Sequence, residues 1–158
     1  MSSSSDIVLE ISSVLIQKKV SFLDYVFGGT EISLQIAIDF TASNGPPHSI
    51  HSLHYMGDSH KNQYLSAIRS VGAILEQYDT DKQFPVYGFG ARSVMHGLQF
   101  EKSHCFALNG DIFNPEVNGI HGVTTVYQNA INKVELSGPT NFAPILKYVR
   151  GFCDHQMK

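Results

Sequence analysis

The run Glu31 to Phe40 limits the fold of this chain most, because Ile32, Leu34, Ile36 and Ile38 recur at every second position. Period-two patterning places these side chains on one face of a β-strand. Ala37 makes the C-terminal half apolar on the other face too, as in a central strand covered on both sides. Such a strand needs helices above and below it, and the rest of the pattern supplies candidates. Residues 61–78 carry Tyr64, Leu65, Ile68, Val71, Leu75 and Tyr78 at steps of three and four, a helix with Asp58 or Ser59 available as its cap. Residues 84–89 form a short strand closed by Gly88 and Gly90, and residues 106–108 suggest another. Residues 123–136 read as a second amphipathic helix, with Val123, Val126, Tyr127, Ala130, Ile131 and Val134 on one stripe. A tight loop over 137–141 leads to a third helix over 142–152, where Pro144 is tolerated in the first turn. Strands alternating with helices predict an α/β fold, a partial doubly wound, Rossmann-like sheet with flanking helices. Ahead of it, Ile7, Leu9, Val14 and Ile16 alternate as in a strand or two, and Gly28-Gly29 signals a turn. Residues 1–6 are polar and expected to be disordered.

The chain has 158 residues, enough for one domain with a hydrophobic core. A net charge of -3 gives no basic surface for phosphates, so nucleic acid is not an expected partner. The start lacks the basic segment of a signal peptide, and no stretch approaches the roughly 20 apolar residues of a membrane span. Cys105 and Cys153 allow one disulfide, not a disulfide scaffold. The expectation is an intracellular, soluble protein.

The sharpest chemical feature follows the first strand: Asp39-Phe40-Thr41-Ala42-Ser43. In open α/β sheets ligands gather at the carboxyl ends of strands. Alternate spacing lets one carboxylate and two hydroxyls turn toward a common point, an oxygen-only set suited to Mg²⁺, Mn²⁺ or Ca²⁺. Thr140, in the loop before the third helix, could add a further hydroxyl. The same residue types also make turns and helix caps, which is their commoner use.

Rival motifs are weaker. His48, His51 and His54 recur every third residue beside His60, but in a loop without cysteine, so they read as surface histidines. His104-Cys105 suggests a catalytic dyad, yet adjacent side chains seldom face each other. Gly88-Phe89-Gly90 lacks the third glycine of a dinucleotide loop. No catalytic constellation stands out, and an enzyme is not expected.

Longer blocks carry a resemblance. Phe22-Leu23-Asp24-Tyr25-Val26-Phe27-Gly28-Gly29 and Ile38-Asp39-Phe40-Thr41-Ala42-Ser43-Asn44-Gly45 come first. Ser52-Leu53-His54-Tyr55-Met56, Tyr78-Asp79-Thr80-Asp81-Lys82, Phe84-Pro85 and Gly88-Phe89-Gly90-Ala91 follow, then Gly138-Pro139-Thr140-Asn141-Phe142-Ala143-Pro144. In this order they resemble the copine family, over nearly all of the chain from Ile7 to Phe152. The resemblance implies the N-terminal portion of a von Willebrand factor A-type domain over residues 30–158, preceded over 7–29 by the end of a C2 domain and a linker. It implies that Asp39, Thr41 and Ser43 form the first loop of a metal-ion-dependent adhesion site and Thr140 its second. In such sites hydroxyls bind the cation directly and the first aspartate often acts through water.

The implied function is that of a calcium-dependent phospholipid-binding protein whose A-like domain recruits protein partners. Mg²⁺ or Mn²⁺ would sit in the A-like domain, and Ca²⁺ in C2 domains that this sequence does not contain. The implied location is the cytoplasm, with recruitment to the plasma membrane on calcium signals. The sequence stops before the strand and Asp-Gly loop that normally supply a third part of the site, so the strand over 31–40 is expected to keep an open, apolar edge. A substrate-recruiting domain of a RING ubiquitin ligase and a non-functional truncated fragment are the alternative readings.

Overall fold

The structure, a computed structural model, describes residues 10–93 and 102–156. Contacts divide the chain into two units, Met1–Thr30 and Glu31–Lys158. The first contains α1 (Phe22–Phe27), where the sequence pattern suggested only a chain leading to a turn. Ser21 starts this helix: the Asp24 amide donates to Ser21 Oγ and the Ser21 amide to Asp24 Oδ2, at 3.3 and 2.8 Å. That reciprocal capping box satisfies two otherwise orphan donors. Residues 10–20 have no regular secondary structure and are exposed, so the alternation of Val14 and Ile16 does not produce strands. Alternation alone makes no sheet without a paired neighbour. Ile7 and Leu9 lie outside the described residues.

In the second unit, β1 (Ile36–Asp39) and β2 (Gln83–Phe89) pair in parallel, from Ile36 opposite Val86 to Asp39 opposite Phe89. The crossover between them holds α2 (Gln63–Leu75). Next come β3 (Ala91–Ser93), β4 (Lys102–Ser103), β5 (Phe106–Ala107) and β6 (Glu116–Asn118). The chain continues through α3 (Gly119–Ile131), β7 (Val134–Leu136) and α4 (Ala143–Gln156). Tyr87 pairs with both Ala37 and Ala107, so antiparallel β5 lies on the edge of β2 opposite β1. β6 pairs antiparallel with the start of β2, and β3 is flanked antiparallel by β4 and β7.

Period two in β2 distributes the core. Phe84 and Val86 pack with Leu65 and Ile68 of α2 and with Val123, Tyr127 and Ile131 of α3. Tyr87 and Phe89 face the other way, onto Ile145 of α4. α2 and α3 approach closely because residue 72 is glycine: a Cβ there would lie 2.4 Å from Ile120 Cδ1. The result is a mixed α/β fold with helices on both faces of a mixed sheet, a partial von Willebrand factor A-like fold.

Several boundaries differ from the sequence pattern. The strand expected over 31–40 is confined to Ile36–Asp39, because pairing, not apolar alternation, sets its length. Ile32 instead bonds through its amide to the Tyr78 carbonyl. Ala37 is exposed, and among the described residues β1 pairs only with β2, so β1 is an edge strand and not a covered central one. Helix α2 is capped by Asn62, whose side chain accepts from the Leu65 amide at 2.9 Å, and it tightens into a 3₁₀ turn over Glu76–Tyr78. Helix α3 starts earlier than expected, at Gly119, where Glu76 Oε1 accepts from the Ile120 amide at 3.2 Å. A carboxylate suits the positive end of a helix. Val134 and Leu136 leave the helical stripe to pair with β3.

Candidate cation site

The site is assembled where β1 ends. The Phe40 amide still follows the strand register, donating to the Phe89 carbonyl at 2.9 Å. The chain then turns because Asp39 Oδ1 accepts from the Thr41 amide at 2.8 Å, a local turn of the kind aspartate favours. A 3₁₀ turn over Ala42–Asn44 follows. The second loop is tied on by a parallel bridge between Thr41 and Ser137, with the Ser137 amide donating to the Gly90 carbonyl at 3.1 Å.

These turns bring the hydroxyls of Thr41, Ser43 and Thr140 together, and Asp39 joins them through its bond to the Thr41 amide. Thr41 Oγ1 is the hub: Ser43 Oγ lies 3.1 Å from it, and Thr140 Oγ1 donates to it at 3.2 Å. Thr41 is buried, Asp39 half-buried, and Ser43 and Thr140 exposed, so the cluster runs from the core to the surface. Local turn and convergent oxygen cluster are therefore the same structure, not alternatives.

The cluster has the chemistry of a hard divalent-cation site. Its side-chain donors are one carboxylate and three hydroxyls, the oxygen-only set such ions prefer. Adjacent ligands of an octahedral Mg²⁺, with bonds of about 2.1 Å, lie about 3 Å apart, close to the hydroxyl spacings observed. The residues fit. Among the described residues there is no group of three or more His, Cys, Asp or Glu able to hold a metal.

Sequence reasoning missed the residues that support this cluster. Gly90 has φ +76, and a Cβ on it would lie 2.4 Å from Thr41 Cγ2 and 3.5 Å from Asp39 Oδ1. The glycine in Gly88-Phe89-Gly90 thus makes room for the site floor. Asn44 Nδ2 donates to the Asp39 carbonyl at 2.9 Å.

His54 is the largest correction: it is fully buried, not a surface histidine. Its Nε2 lies 2.9 Å from the Asp39 carbonyl and its Nδ1 2.9 Å from Tyr127 Oη. The ring is stacked between Phe40 and Tyr64, at centroid distances of 5.5 and 4.1 Å. Burial lowers its pKa from 6.5 to about 4, although the Asp39 carbonyl and carboxylate both favour the proton. Burial also pushes the Tyr64 hydroxyl up to about 12, helped by the Asp39 charge. His48, His51 and His60 are exposed, as their loop position suggests.

The two cysteines are free thiols, Cys105 half-buried and Cys153 exposed. Burial raises the Cys105 thiol pKa, the opposite of what an activated nucleophile requires. Among the described residues no helix is long and apolar enough to cross a membrane.

The family model described as Copine matches residues 52–158, more than half of the chain. The chain belongs to the copine family. The matched span takes in His54, Gly90 and Thr140 and begins after the Asp39–Ser43 turn. In this copine, the site therefore joins a loop within the matched segment to one just ahead of it.

Proposed function

We propose that this copine-family chain is a partner-binding module that holds Mg²⁺ or Mn²⁺ on Asp39, Thr41, Ser43 and Thr140. The observation that carries the reading is the convergence of the Ser43 and Thr140 hydroxyls on that of Thr41, with Asp39 Oδ1 on the Thr41 amide at the same strand end. A bound divalent cation would supply a positive charge able to accept an anionic ligand. Among these four residues only Asp39 carries negative charge, so about one positive charge stays uncompensated, and an acidic side chain of a protein partner is the fitting complement. The proposed role is binding; consistent with it, both nitrogens of His54 are already engaged, and burial raises the Cys105 thiol pKa.

Calcium-dependent phospholipid binding, through C2 domains, would belong to a longer copine. So would a cytoplasmic location with recruitment to the plasma membrane. The family match alone supports these. A thermal melt of the purified chain with and without millimolar Mg²⁺ or Mn²⁺ tests the cation reading. A cooperative transition raised by metal in the parent and not in Asp39→Ala is expected. A metal response that survives Asp39→Ala would overturn it.

A further inference from the structure

Behind the cluster runs a chain of buried polar groups whose hydrogens can be assigned by elimination. The Asp39 carbonyl can only accept, so His54 Nε2 carries the hydrogen of that 2.9 Å bond. In the neutral ring Nδ1 is then an acceptor, and Tyr127 Oη must donate to it at 2.9 Å. The Tyr127 hydrogen is thereby committed to His54 and not to Asn62 Oδ1 at 3.3 Å, so the Tyr127 oxygen accepts from Asn62 Nδ2 at 3.2 Å while Asn62 Oδ1 accepts from the Leu65 amide at 2.9 Å. The direction is consistent from end to end. It leads from the N-cap of α2, through a hydroxyl on α3, to the backbone carbonyl of a candidate ligand. His54, Asn62 and Tyr127 are all fully buried, where an unmade hydrogen bond costs more than a made one returns.

We propose that His54 is a positioning residue for the cation site, holding the Asp39 carbonyl so that the Asp39 carboxylate and the Thr41–Ser43 turn are preset for a metal ion. This rests on the cation reading above and deepens it. The Asp39 carbonyl lies between the strand and the turn, and it accepts from both His54 and Asn44. Two donors on one carbonyl fix the peptide plane from which the turn departs. The imidazole does not touch the hydroxyl cluster; it acts through Asp39.

The test compares His54→Phe, His54→Gln, Tyr127→Phe and a control, Val123→Ala, which loosens the same core from α3 without a bond to the site. Mg²⁺ affinity is read by calorimetry, and protection of the Thr41 amide, which donates to Asp39 Oδ1, by hydrogen exchange without metal. Loss of one buried hydrogen bond that orients the site should weaken Mg²⁺ binding about tenfold in His54→Phe. His54→Gln, which can place an amide N–H near the Nε2 position, should stay within about threefold of the parent. Tyr127→Phe should fall between them, and Val123→Ala should bind as the parent does. Thr41 protection should drop in His54→Phe beyond the drop in Val123→Ala. Equal Thr41 protection in those two variants, or unchanged Mg²⁺ affinity in His54→Phe, would overturn the positioning role. A parent that binds no Mg²⁺ while Thr41 protection still depends on His54 would instead overturn the cation reading and leave the hydrogen-bond role standing.

Discussion

On one face of β2, Phe84 and Val86 enter a core that runs through α2 and α3 and includes Phe40, Leu65 and Tyr127. On the other, Tyr87 and Phe89 meet Ile145 of α4, with only partly buried neighbours around them. The two loops of the candidate cation site inherit this inequality. The Asp39–Ser43 turn leaves the deep face, backed by Phe40 and His54, both fully buried. The Thr140 loop leads into α4 on the thin face, where Phe142 is 55% exposed. One half of the site is therefore built into the core, whereas the other is laid against it through the Thr41–Ser137 bridge and the Thr140 hydroxyl.

The comparison breaks most sharply at Phe40. It is fully buried and its ring packs on His54, Phe106 and Tyr127, so Phe40→Ala should cost about 3–5 kcal/mol. Ile145→Ala, on the thin face, should cost only about 2 kcal/mol, at the low end for such truncations. Urea unfolding of the two variants measures the contrast, and equal costs would remove it. Gly90→Ala comes next. Its left-handed backbone and the contact with Thr41 Cγ2 should cost about 1–3 kcal/mol and abolish the metal-induced rise in melting temperature. Thr41→Ser removes the opposing methyl, so adding it to Gly90→Ala should recover part of the lost stability, as a double-mutant cycle would show.

A pH series sharpens the deep face further. The folded chain holds the His54 pKa at about 4 against an ordinary 6.5, so the unfolded chain binds a proton that the folded one excludes. Stability from this group is complete above about pH 6.5 and falls by about 1.4 kcal/mol per unit as pH drops toward about 4. Between pH 6.5 and 5 the loss should be about 1.6 kcal/mol by urea unfolding, and His54→Gln should lack that part of the slope. The smallest effect is expected at Thr140. Its side chain is exposed, so Thr140→Ala should shift stability by less than about 1 kcal/mol while weakening the response to Mg²⁺.

The period of Ile32, Leu34, Ile36 and Ile38 located the strand that carries the site but not its ends, because a partner strand is needed and pairing with β2 covers only Ile36–Asp39. Asp39, Thr41, Ser43 and Thr140 were legible because their side chains work through local turns and short loops. His54, Asn62 and Gly90 were not. A polar residue in a polar loop reads as exposed, yet Ser52, His54 and Asn62 are all buried, kept there by bonds to one another's neighbours and to Tyr127. No periodicity announces such pairings. Val134 and Leu136 mislead for the opposite reason: they extend the helical stripe of α3, but pairing with β3 takes them into a strand.

The most direct measurement is a titration of the labelled chain with Mn²⁺, followed by paramagnetic broadening of backbone amides. If the two loops form one site, amides of residues 41–43 and of 140–141 should broaden together with a common midpoint, and Asp39→Ala should remove both effects. Broadening of one loop without the other, or at separate midpoints, would contradict a shared cation site.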